Sequence, residues 1–102
     1  MFLHIGEEII VFLNDILAIM DIERTTTSNN TREFLKSCEE KGMIVTVGRD
    51  IPKSFIITVN KDKQTVYLSP ISSATLKKRI MKQTRDDRYL NNHLKQKFKR
   101  NK

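Results

Sequence analysis

The sequence predicts an α+β domain: a small, mostly antiparallel sheet of short strands with one or two packed helices and a basic C-terminal helix. Three observations carry this expectation. Residues 53–59 and 65–69 are β-rich runs of alternating polarity joined by a polar loop at Asn60–Gln64, the pattern of a hairpin. The stretch from Asn30 to Gly42 has helical spacing and a glycine stop. After Pro70, which has no N–H and ends the ladder, Ser72 or Ser73 can cap a helix that begins with Lys77, Lys78 and Arg79.

In order, Phe2–Ile5 is a short β run closed by Gly6, and Glu7–Glu8 makes a polar turn. Ile9–Leu13 is a continuous apolar run, as in a buried strand. Asn14–Asp15 marks a bend, and Ile16–Met20 resumes β character, so the first 20 residues read as a three-stranded meander. A helix across 8–20 is the competing reading, because short apolar runs are ambiguous. Arg24–Thr31 is a polar loop. Asn30 with Glu33 three positions on resembles a capping box, and Phe34, Leu35 and Cys38 share one face of the helix that follows. Gly42 stands at the left-handed C′ position. Met43–Val47 is a strand, and Gly48–Pro52 is a turn that brings Arg49 to the hairpin. In the C-terminal segment Leu76, Ile80, Leu90, Leu94 and Phe98 fall within about 80° of arc at helical spacing, beside Lys77, Lys78, Lys82, Arg85 and Arg88.

Charge divides the chain unevenly. Of a net +7, residues 1–74 hold 8 Lys/Arg against 10 Asp/Glu, and residues 75–102 hold 11 against 2. A nearly neutral body with a strongly basic end points to nucleic acid or an anionic surface; the bland alternative is a solubilising tail. With 102 residues and 38 % hydrophobic content, one thin core is expected, which association with further copies would help. The single cysteine, Cys38, fits a reducing compartment. Glu7 and Glu8 stand where a signal peptide needs positive charge. The Ile9–Met20 segment is too short to span a bilayer, so the expected location is cytoplasmic.

No catalytic constellation is visible, and an enzyme is not expected. His4 and His93 lie at opposite ends of the chain, and with Cys38 they match no zinc spacing. Cys38 reads as a small buried hydrophobe and His4 as part of a sheet surface. Glu7–Glu8 and Asp86–Asp87 are sequence neighbours whose side chains diverge, so neither reads as an acid–base dyad. Gly6, Gly42 and Gly48 are too scattered for a phosphate loop. No metal, cofactor or small-molecule substrate is expected. What remains is the basic set Arg49, Lys53, Lys77, Lys78, Arg79, Lys82 and Arg85. Each alone reads as a solvated charge; together, at a helix start beside a turn, they suit phosphates. Such contacts position a protein without reading base sequence.

Leu3–Glu8, Asp15–Asp21, Lys53–Val59 and above all Tyr67–Arg79 resemble the RemA/RemB-like family of bacterial extracellular matrix regulatory proteins. The resemblance covers about residues 2–80, and so divides the chain into a domain, 1–80, and a basic C-terminal tail, 81–102, helical or disordered. It implies a cytoplasmic DNA-binding regulator of biofilm matrix genes. It also implies a homo-oligomeric ring of small α+β subunits with arginines on its exterior. Family members place an arginine just before the third strand and an arginine pair in the turn before the hairpin. This sequence has Asp15 at the first place and Asp50 with Ile51 at the second, leaving Arg49 and Lys53 nearby. Two functions are therefore expected to compete: a DNA-binding homo-oligomeric regulator, and a self-assembling interaction module whose basic tail meets an anionic membrane or protein surface.

Overall fold

The computed structural model describes residues 1–25 and 28–84. It is an α+β fold of two sheets. Strands β1 (Phe2–Gly6) and β2 (Ile9–Phe12) form an antiparallel hairpin. Strands β3 (Ile16–Asp21), β4 (Ile44–Thr46), β5 (Ser54–Asn60) and β6 (Lys63–Ser69) form a second sheet in the order β3-β5-β6-β4. Helix α1 (Ile22–Thr25) is one turn, α2 (Asn29–Glu40) packs on the larger sheet, and residues 73–84 form α3.

Alternation along β5 builds two cores. Phe55 and Ile57 join Cys38, Val66, Phe34 and Leu35 beneath α2. Ile56, on the opposite face, joins Leu3, Ile5, Val11, Val47 and Leu76. The hairpin and α3 thus cover one face of the four-stranded sheet, and α2 covers the other. Burying Phe55 and Ile56, at 1 % and 0 % exposure, contributes roughly 1.5–3 kcal/mol each.

The expected hairpin is present and tighter than the sequence suggests. Its strands run to Asn60 and from Lys63, so the connection is only Lys61–Asp62. Both residues have positive φ, +50° and +66°, matching the right-handed twist of the strands. The helix stop at Gly42 also appears. Gly42 has φ +69°, its N–H reaches Glu39 O at 3.0 Å, and Met43 N–H reaches Cys38 O at 2.9 Å, the two bonds of a Schellman motif.

Four expectations change. The meander is absent: β3 leaves β2 through a 3-10 turn at Leu13–Asp15 and pairs with β5 instead. Its alternation explains why, since Ile19 and Met20 serve opposite cores and need a sheet covered on both faces. The capping box is also absent. α2 starts at Asn29 after Ser28, with no side-chain cap, and Asn29 Oδ1 instead accepts from the Arg32 guanidinium. The Arg24–Thr31 stretch is not wholly loop, because α1 and the first turn of α2 enter it. Finally, the strand expected at 43–47 is shorter and lies parallel to β6, making one pairing of a mostly antiparallel sheet parallel.

Candidate functional site

The end of the larger sheet where β6 stops and β5 starts is held together by small polar residues. Ser54 and Ser69 face each other across the ladder and are fully buried. Ser69 Oγ donates to Ile5 O at 2.6 Å and accepts Ile71 N–H at 3.0 Å. Ser54 Oγ donates to Ile71 O at 2.7 Å. These bonds fix the exit of β6 to the first strand, so the chain after Pro70 leaves in a set direction. Ser72 then caps α3, its Oγ accepting Thr75 N–H at 3.2 Å while Leu76 N–H reaches Ser72 O at 3.1 Å. Of the two serines that the sequence offers as caps, Ser72 is the one used.

Two glycines allow the close approach of neighbouring turns. Gly6 has φ +123°, and a Cβ there would lie 3.1 Å from Val47 Cγ1 and 3.3 Å from Pro70 Cδ. Gly48 has φ +74°, and a Cβ there would lie 3.0 Å from Glu7 Oε1. The β1–β2 turn therefore rests against the turn that carries Arg49. Lys53 is stitched to the same end through its backbone: its N–H donates to Ser69 O at 2.8 Å and its carbonyl accepts Ile22 N–H at 3.1 Å.

The basic side chains are arranged around this frame. Arg49 and Lys53 are exposed in the segment leading into β5. Leu76 and Ile80 pack inward from α3, which leaves Lys77, Lys78 and Lys82 exposed on its outer side. Lys78 and Lys82 are one turn apart and share the middle of that side. Arg79 behaves differently. Its Nη1 donates to His4 O at 3.0 Å, tying the helix to β1. Arg85 lies outside the described residues, as does the apolar stripe beyond Ile80.

The model of the RemA-like family, described as extracellular matrix regulatory protein A-like, matches residues 2–80. The chain belongs to the RemA-like family. Extracellular matrix regulatory protein B of Bacillus subtilis (strain 168) is 39 % identical over 79 residues, which cover 78 % of this chain and 89 % of that protein.

Within this RemA-like domain, the three positions where the sequence resemblance leads one to expect arginine have structural places. Asp15 closes the 3-10 turn and accepts from Asn60 Nδ2 at 2.9 Å. Asp50 and Ile51 are exposed beside Arg49, Ile51 at 86 %. Glu7 brings another carboxylate to the same end, so the positive field there comes mainly from α3.

Sequence reasoning passed over a second basic group. Lys61 and Lys63 line a cleft at the β5–β6 turn, and Lys41 with Lys63 borders another beside it. The tightness of that turn was the missing signal, because a longer loop would have left these lysines without a fixed direction. Among the described residues, no group of three or more His, Cys, Asp or Glu is placed to hold a metal ion. Among the same residues, no helix is long and apolar enough to cross a membrane.

Proposed function

We propose that this RemA-like protein is a DNA-binding regulator of extracellular matrix genes that acts in the cytoplasm as a homo-oligomer. The observation that carries this reading is the outer side of α3. There Lys77, Lys78 and Lys82 are exposed on a helix whose start is fixed beside Arg49 and Lys53. Phosphates are the partner such a surface suits. Several ammonium groups on successive helical turns can each displace a condensed counterion, and planar base recognition is not required. The charge of residues 75–102, 11 Lys/Arg against 2 Asp/Glu, has the same sign. The kinship with extracellular matrix regulatory protein B supports the regulatory target. Repetition of the contact on several subunits raises avidity without new chemistry.

A gel-shift or anisotropy titration on duplex DNA tests the reading directly. With about five phosphates contacted per subunit, log affinity falls against log salt with a slope of about −4 to −5. A flat dependence, or no binding at low salt, rejects it. Anionic liposomes in a parallel arm address the competing reading: membrane binding with weak DNA affinity assigns the basic end to a lipid surface. Light scattering on the same samples reads the oligomer.

A further inference from the structure

The opposite end of the larger sheet carries a feature that DNA binding does not use. Down β5 and β6, the residues facing the hairpin change from apolar to polar. Ile56 pairs with Tyr67 in the core; Thr58 then pairs with Thr65, and Asn60 with Lys63. Thr58 is still buried, but the hairpin leaves Asn60 and Lys63 exposed, and a cleft of about 520 Å³ remains above this polar floor. Its other wall is the consecutive run Ile10, Val11, Phe12 of β2, so that strand borders the cleft along its length.

The two strands of the hairpin are unequal. β1 is tied down on its far side, because its His4 and Ile5 carbonyls accept from Arg79 and Ser69. β2 pairs only with β1 among the described residues. Its sequence is Ile-Ile-Val-Phe, with no charge and no proline, and Ile10 and Phe12 are 48 % and 57 % exposed. Natural edge strands are usually guarded by such residues; this one is a template for another strand. The charges around it select the guest. Lys61 and Lys63 stand at the cleft, and Lys41 continues the positive rim beside Lys63. Of the two carboxylates there, Asp15 is already engaged by Asn60 and Asp62 sits in the turn between the two lysines, so cations still outnumber carboxylates three to two.

We propose that the open edge of β2 takes up an extended acidic peptide segment of a partner protein as an added strand, with its carboxylates meeting Lys61 and Lys63. Main-chain hydrogen bonds supply affinity in this mode, and alternate side chains supply specificity. The site is distinct from the α3 surface, so its success or failure is independent of DNA binding.

The probe is a capped eight-residue peptide of alternating glutamate and valine, titrated onto the full chain, with the lysine–valine counterpart as control. The expected result is saturable binding of the glutamate peptide, about tenfold or more tighter than the lysine peptide. Amide exchange should slow at Ile10 and Phe12 on binding, because their N–H groups point away from β1, whereas Val11 N–H already faces β1 and should change little. The double variant Lys61→Glu/Lys63→Glu, its fold checked by circular dichroism, should reverse the preference between peptides. Equal affinity for both peptides, or protection confined to residues outside β2, overturns the proposal. So does protection of β2 that grows with protein concentration and excludes the peptide, which assigns the edge to a second copy of the chain.

Discussion

Gly6 shows most sharply what one position contributes. Its φ of +123° is a conformation that L side chains rarely adopt, and Val47 and Pro70 already occupy the space of a Cβ. Gly6→Ala should destabilise by about 1–3 kcal/mol from backbone strain alone. Gly42→Ala provides the comparison, since a Cβ there meets nothing within 4 Å and only the φ of +69° is strained. Urea midpoints of the two variants should rank Gly6→Ala as the worse. Ser69 is sensitive for a different reason. Its hydroxyl serves Ile5 O and Ile71 N–H at once in a fully buried position. Ser69→Ala leaves both unmatched and should cost about 1–3 kcal/mol, read by the same titration. The β5–β6 turn has the opposite potential. Asp62 adopts φ +66°, so Asp62→Gly should raise the urea midpoint by a gain of about 0.5 kcal/mol.

At the scale of elements, the helix α3 depends on how it begins. Ser72→Ala removes the acceptor of Thr75 N–H and should cost about 1 kcal/mol, whereas Ser72→Gly should cost only a few tenths. The legibility of the elements follows from how local their causes are. The β5–β6 hairpin, the glycine stop of α2 and the serine start of α3 each depend on a few adjacent residues, and all three could be read from the chain. The partner of β3 could not, because Ile16–Met20 carries apolar residues at every position except the bends around it. A strand of that kind gives no clue to which neighbour it joins; that depends on β5, some forty residues onward. The parallel pairing of β4 was hidden for the same reason. In the site, Lys77, Lys78 and Lys82 were legible as a cluster through helical spacing. Arg79 was not separable from them, since its tie to His4 O arises only when α3 folds back onto β1.

For the whole molecule, electrostatics should part from stability. The triple variant Lys77→Ala/Lys78→Ala/Lys82→Ala removes exposed cations without touching Leu76 or Ile80. It should reduce the magnitude of the salt slope of the proposed DNA binding by about 2.7, with little change in melting temperature. Arg79→Ala should show the reverse emphasis, lowering stability through the lost bond to β1 while moving the slope by less than one contact's worth. A thermal melt beside a salt titration on each variant separates the two roles.

The bonds from Ser69 to Ile5 and from Arg79 to His4 join residues 64 and 75 positions apart. The earliest-synthesised strand therefore waits for nearly the last part of the domain before it is clamped. On the ribosome, Ile9–Phe12 would emerge long before α3 exists to lock the hairpin in place. Such long loops slow folding and leave β segments exposed to neighbours in the meantime. Nascent chains halted before residue 69 should consequently be protease-sensitive and chaperone-bound, and those extended past 84, clear of the exit tunnel, should be released from both.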